Sequence, residues 1–421
     1  MKGEVGLAVK LLQITLLFAI FFSYAMFQGG FVSWFLFYSF LPILLYMFLL
    51  LLYPVSKWEV SREMSKHLVR AGDKVTVTIE MERKVAFPIY YLVVEEFFPA
   101  SLQYKDSSRD KFRYMDEPNK VIDKRNVKKL LFPWFKRRLT VTYTLDNIPR
   151  GEHHLKAIRI KTGDFFGFIK KNHVFEVTSH LLAHPSQRQV LIKEKVSSFD
   201  EGSSPAHELH LNNSNMVTGV REYAPGDRFS WIDWKTTARK DTVMTKEFEQ
   251  EKSSNLLLVL DATDYEGLNK IAFEARVELT ASVLKSLKRQ ASQLALLSLG
   301  EKHVYFPFNQ DPSKNELMQT FLAKVQPQGE VPFPQQLMYH SKQLPQGLIT
   351  MVITSYLDQD MVQSLSQLKQ KSKRVILFII KPISKVNAQD NNYIRQLSSN
   401  GVVVNIMAEK QLIKAEFEVS M

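Results

Sequence analysis

No charged residue occurs between Lys10 and Lys57. That stretch holds two apolar runs, about 11–27 and 31–53, broken at Gln28-Gly29-Gly30. A bilayer core of about 30 Å takes roughly 20 apolar residues at 1.5 Å each. The first run just reaches that length, and the second exceeds it. Neither carries the polar stripe of a soluble core helix. The sequence therefore predicts a two-helix transmembrane hairpin over residues 1–56. No small-residue cleavage box follows the first run and a second full span does, which argues against a cleaved signal peptide.

Flanking cations set the expected orientation. Lys2 and Lys10 precede the first run, Lys57, Arg62, Lys66 and Arg70 follow the second, and the connecting turn has neither Lys nor Arg. Positive flanks stay in the cytoplasm, while acids such as Glu4, Glu59 and Glu63 count little. The expectation is a two-pass protein of the cell membrane with both termini and the soluble domains cytoplasmic.

The remainder of the 421 residues is long enough for two or three further domains. With no cysteine in the chain, disulfides, thiolate zinc sites and cysteine nucleophiles are excluded. Net charge is +12. The excess is concentrated between Lys105 and Arg138, where twelve Lys/Arg face five Asp/Glu around the cluster Phe132, Pro133, Trp134 and Phe135. On a membrane-tethered chain such a block suits anionic headgroups. A solvated loop without a partner is an equal alternative. No nucleic-acid-binding motif accompanies the block, so nucleic acid is not an expected partner.

Residues 57–190 read as an all-β, sandwich-like domain. Lys74–Glu80 and Arg138–Leu145 alternate polar and apolar, the period of a half-buried strand. Ile89–Val94 and His154–Ile160 add two more strands, with Pro149-Arg150-Gly151 as a turn. The basic block between Ser101 and Lys136 reads as a long insertion. Residues 255–421 change rhythm. Asn255–Asp261 is a continuous apolar run ending in an acid, as in parallel strands covered on both faces. Helix and strand patterns then alternate to Met407, which predicts an α/β domain with a mostly parallel sheet. Ligands on such sheets bind at the carboxyl ends of strands, where Asp261 sits.

Between these domains, residues 191–254 contain the most distinctive stretch. It carries Arg221-Glu222-Tyr223, Pro225-Gly226-Asp227, Asp233-Trp234-Lys235, Ala238-Arg239 and Lys246-Glu247. From Arg221 to Lys252 there are seven Lys/Arg and seven Asp/Glu. That balance is not a nucleic-acid stripe. It predicts a paired-ion network around an aromatic core, serving either as a lock between domains or as a partner-binding surface. The candidates are Arg221, Glu222, Tyr223, Gly226, Asp227, Asp233, Trp234, Lys235, Arg239, Lys246 and Glu247.

This series resembles the signature of the domain-of-unknown-function 58 family over Arg221 to Glu249. The wider layout is similar too: two spans, a β domain with Arg150-Gly151 and Asp164-Phe165-Phe166-Gly167, the signature, and a von Willebrand factor A-like domain. The resemblance implies association with MoxR-type AAA+ ATPases. The role it suggests is that of a membrane-anchored scaffold or adaptor in an envelope-related or complex-assembly process. It supplies no catalytic residues.

The A-like resemblance raises a metal question. The family's adhesion motif, Asp-x-Ser-x-Ser, offers oxygen ligands that suit Mg²⁺. Here the chain reads Asp261-Ala262-Thr263-Asp264-Tyr265. Asp261 and Thr263 are degenerate candidates, but Tyr265 replaces the last small hydroxyl. A further acid expected after the strand ending at Thr354 is displaced to Asp358. The sequence therefore predicts no bound metal or other cofactor. There is no phosphate loop, nucleophile elbow or His-Glu-x-x-His. His207-Glu208-Leu209-His210 has two imidazoles but lies in a polar linker. A non-enzymatic protein is expected. The alternative is a hydrolase using Asp227, Asp233, Lys235 and Arg239.

Overall fold

The computed structural model describes residues 2–103, 105–121, 125–193, 215–250, 255–287, 293–309 and 312–420. His207 and His210 lie outside them. The chain divides into two compact units. One comprises 1–107 and 121–184, the other 108–120 and 185–421. The apolar hairpin thus belongs to the same unit as the β domain. The units divide between His184 and Pro185.

The first unit begins with α1 (Lys2–Gln28) and α2 (Phe31–Leu52), joined at Gly29, whose φ of +61° suits a residue without Cβ. The apolar stretches Val9–Gln28 and Phe31–Leu52 are long enough to cross a membrane. Their mutual faces carry rings: Phe21 stacks on Phe40 at 4.6 Å, and Phe18 meets Phe37 edge-on at 5.7 Å.

Eight strands follow: β1 (Glu59–Met64), β2 (Leu68–Arg70), β3 (Val75–Glu82), β4 (Tyr91–Glu96), β5 (Lys128–Leu131), β6 (Arg138–Leu145), β7 (Gly151–Gly163) and β8 (Lys170–His184). They form a sheet in the order β1-β3-β6 and another in the order β2-β8-β7-β4-β5. Alternate residues of both sheets enter one core: Val75, Val77, Ile79 and Met81 from β3, Leu139 and Val141 from β6, Leu155, Ile158 and Ile160 from β7. Inside that core Arg62 and Glu96 form a fully buried ion pair, and Tyr143 donates to Glu96 at 2.9 Å.

The end of α2 is built into this unit. Tyr46 and Tyr53 donate to the carbonyls of Pro88 (3.0 Å) and Val85 (2.8 Å), with Phe87 stacked against both rings. Ile169, at the β7–β8 turn, packs with Ile14, Met47, Leu50 and Leu51.

The second unit contains β9 (Val190–Lys193), β10 (Asn215–Glu222), α3 (Trp234–Lys240), β11 (Met244–Gln250), β12 (Leu256–Asp261), α4 (Lys270–Leu287), β13 (Leu294–Leu299) and β14 (Val304–Asn309). It continues with α5 (Pro312–Lys324), α6 (Phe333–Ser341), β15 (Ile349–Thr354), α7 (Gln359–Lys371), β16 (Arg374–Ile380), α8 (Ala388–Ser399), β17 (Val402–Met407), α9 (Glu409–Leu412) and β18 (Phe417–Ser420). Six strands make a mixed sheet in the order β14-β13-β12-β15-β16-β17, in which only the edge pairing β13–β14 is antiparallel. The chain reverses its direction of winding between β12 and β15, so their carboxyl ends flank the switch point of the sheet.

The middle of the basic block is not a solvated loop. Residues 108–120 belong to the second unit, where Phe112 and Met115 are fully buried. Lys111 pairs with Glu278 of α4 at 3.5 Å, and Asn269 donates to the Met115 carbonyl. Glu278 also accepts from Arg188 at 2.7 Å. Burying two aligned apolar side chains and neutralising a buried carboxylate outweighs leaving the segment in water.

Candidate functional site

The signature folds as a long antiparallel hairpin. β10 pairs with β11, with Arg221 opposite Thr245 and Val220 opposite Lys246. The connection between them turns at Gly226, whose φ is +112°. Arg221 grips Asp227 with two nitrogens, Nη1–Oδ2 at 2.8 Å and Nη2–Oδ1 at 2.7 Å. The Ala224 N–H donates to the same carboxylate at 3.0 Å. Both interactions hold the Asp227 carboxyl below its ordinary range, the Arg221 contact being the larger, and the pair raises the Arg221 guanidinium. Asp233 caps α3, accepting from the N–H groups of Lys235 and Thr236 at 3.1 Å each. Thr237 then accepts from the Met244 N–H at 3.0 Å and ties the helix to β11.

The expected aromatic core does not form around these charges. Ile232 and Met244 are buried, but Phe229 and Trp234 are 77% and 69% exposed. The segment is too short to enclose large rings. Lys235 and Arg239, four residues apart, are exposed on the same short helix as Trp234. Glu222 and Glu247 are exposed, while Tyr223 and Lys246 are half-buried. The carboxylates of Asp227 and Asp233 are thus spent on ordering a turn and a helix.

Asp261 lies elsewhere, fully buried at the end of β12. Its Oδ1 accepts from the Thr263 N–H (3.0 Å) and hydroxyl (2.6 Å). Its Oδ2 accepts from the Thr354 hydroxyl at the end of β15, 2.7 Å away, and contacts Arg276 Nη1 of α4 at 2.7 Å. Arg276 is also fully buried, and the same nitrogen donates to the Asp261 carbonyl at 2.8 Å. A divalent ion needs these same oxygens and would sit beside a permanent guanidinium charge. The donor set therefore fits a built-in cation and does not fit Mg²⁺. Tyr265 and Tyr356, with ring centroids 5.6 Å apart, lie beyond this end of the sheet. They line a cavity of about 350 Å³ with Ser355, Asp358, Lys381 and Asp390. Burial raises the Tyr265 hydroxyl above its ordinary pKa.

The family described as protein of unknown function DUF58 matches residues 219–421, which hold both places. The uncharacterized protein YeaD of Bacillus subtilis (strain 168) is 40% identical over 314 residues, covering 75% of this chain and 74% of YeaD. The chain belongs to the DUF58 family. Similarity to solved structures is weak. PilB minor pilin from Streptococcus sanguinis aligns at 8% identity over 77% of this chain and 85% of its own, with a TM-score of 0.31. The CARDB domain of a Pyrococcus furiosus protein aligns at 10% identity over 30% and 93%, with a TM-score of 0.18. Neither score carries an argument about fold.

Within this DUF58 chain the structure brings Arg221, Asp227 and Asp233 into one hairpin, and leaves Asp261 and Thr263 in a separate buried cluster. Sequence reasoning missed Arg276 and Thr354, the partners that commit Asp261. A signal was present: Arg276 interrupts the apolar face formed by Ile271, Ala275 and Leu279. A charge in that position needs a buried counter-ion.

Proposed function

We propose that this DUF58 protein is a membrane-anchored interaction scaffold whose signature hairpin docks a cytoplasmic partner, a MoxR-type AAA+ ATPase. The observation that carries the reading is the exposure of Phe229 and Trp234 on a segment held in shape by the Arg221–Asp227 pair and the Asp233 cap. An ordered surface loses little entropy on binding, and exposed aromatics beside arginine are the residue types that anchor interfaces. Lys235 and Arg239 suit a partner surface that is acidic around an apolar pocket. The internal commitment of Asp227, Asp233 and Asp261 supports a non-enzymatic role. Two apolar helices of membrane-spanning length supply the anchor, and ATP-driven work falls to the partner.

Co-purification of the full chain from detergent-solubilised membranes tests this. The native chain is expected to retain a MoxR-type ATPase. Trp234→Ala is expected to lower the recovered ATPase at least tenfold without changing the melting temperature. Equal recovery with both proteins would overturn the assignment of the hairpin.

A further inference from the structure

The first unit carries a second apolar surface that its core does not use. Phe165, Phe166 and Phe168, in the β7–β8 turn, are 68%, 55% and 54% exposed. Trp134 and Phe135, in the β5–β6 connection, are 55% and 62% exposed. Ring contacts link the two loops. Tyr90 meets Trp134 at 6.2 Å and Phe165 at 5.3 Å, and Phe165 meets Phe166 at 5.4 Å.

Both loops are braced. The Asp164 carboxylate accepts from the N–H groups of Phe166 (3.0 Å) and Ile169. Gly167 takes φ +78°. A Cβ on Gly163 would stand 2.5 Å from the Ile169 carbonyl, so that position admits only glycine. On the other loop, Arg83 donates to the carbonyls of Phe87 and Trp134, each at 3.0 Å, and to that of Lys136. Exposed rings on floppy loops are commonplace; rings fixed outward by buried polar groups are not explained by the fold.

What covers them is indicated by α2. Phe165 and Phe166 form one wall of a crevice of about 250 Å³, and Pro42, Ile43, Tyr46 and Met47 of α2 form the other. At 1.5 Å per residue, those positions lie roughly 8–15 Å along the helix from its end at Leu52. The aromatic turn therefore stands beside the apolar part of α2, not beyond it. Trp collects at the bilayer interface with cations just outside, and Phe beside Trp buries about 5–10 Å into the headgroup–acyl boundary. Exposed Lys170 adjoins the turn, and exposed Lys136 and Arg137 adjoin Phe135.

We infer that Phe165, Phe166, Phe168, Trp134 and Phe135 form a wedge that inserts into the interfacial layer of the bilayer crossed by α1 and α2, with the neighbouring lysines on anionic headgroups. This rests on the membrane-anchored reading above. The β unit is then held by two membrane contacts, a hairpin and a wedge, and cannot swivel freely about a single tether. A protein occupant of the crevice would itself have to lie within the membrane, because α2 is one of its walls.

The chain has no cysteine, so single labels are clean. Phe166→Cys, Phe135→Cys, Leu36→Cys and Thr178→Cys would each carry bimane in the full chain, reconstituted in phosphatidylcholine–phosphatidylglycerol vesicles. Leu36 reports on the anchor. Thr178, exposed on β8 roughly 25 Å along the strand from the turn, reports on water. Shallow nitroxide lipid is expected to quench labels at 166 and 135 at least threefold more than at 178, with iodide excluded from both. Labels at 166 and 135 that match 178 while 36 remains lipid-quenched would overturn the wedge and leave the anchor intact. Iodide access at 36 would remove both. Protection from iodide without lipid quenching would assign the rings to a protein contact and overturn the inference.

Discussion

Two arginine–aspartate pairs in the second unit have the same 2.7 Å contact and opposite surroundings. Arg276 and Asp261 have fully buried side chains, whereas Arg221 and Asp227 retain 44% and 12% of their side-chain exposure. In the first, every Asp261 oxygen bond closes on the protein, and the cluster joins the ends of β12 and β15 to α4. In the second, the pair shapes a turn whose neighbouring rings face outward. Identical chemistry thus holds a fold in one place and presents a surface in the other, and burial decides which.

The largest effect that sharpens this contrast comes from Arg276→Met, which strands a buried carboxylate. It should cost about 3–5 kcal/mol, read as a lower urea midpoint. A variant as stable as the native chain would mean that Asp261 is not committed as described. The same contrast recurs within β7, where His153 is buried and His154 is exposed. His153 lies between the Ser101 hydroxyl (2.9 Å) and the Pro149 carbonyl (2.8 Å), and burial lowers its pKa below the ordinary 6.5. Protons then favour the unfolded chain. Stability should be full above pH 6.5 and fall as pH drops towards the lowered folded value. Chemical denaturation across that range should show a loss of stability that is absent in His153→Gln. A native chain with a flat profile would break the parallel.

Smaller effects belong to the hairpin. Asp233→Ala removes the α3 cap and should cost about 1 kcal/mol locally, seen as faster amide exchange at Lys235 and Thr236 with the α/β sheet unchanged. Arg221→Ala should leave the melting temperature unaltered and weaken capture of the partner in a salt-dependent manner. A large loss of stability from Arg221→Ala would place the signature among the structural elements and erase the distinction.

Much of this arrangement was legible in the residues because the patterns were strong. β6 ran from Arg138 to Leu145 as its alternation predicted, β12 appeared where a continuous apolar run demanded it, and strands and helices alternate to Met407 as expected. α1 extends past its apolar run to Lys2. β8 was missed because its inward positions, such as Phe175 and Val177, are only half-buried and its alternation is faint. β14 returns antiparallel at the sheet edge, which a strand-and-helix rhythm does not announce. The pairing of Arg188 with Glu278 joins distant parts of the chain, so no local pattern contains it. The hairpin's charges were found as a motif. Nothing in that motif announced that Phe229 and Trp234 face outward.

The division between a locked interior and a presented surface is tested most directly by photo-crosslinking from position 234 in native membranes. A benzophenone amino acid replacing Trp234 in the full chain should capture a MoxR-type ATPase, and the same probe replacing Thr178 should not. Equal capture from both positions, or none from 234 in cells that contain the ATPase, would contradict the account.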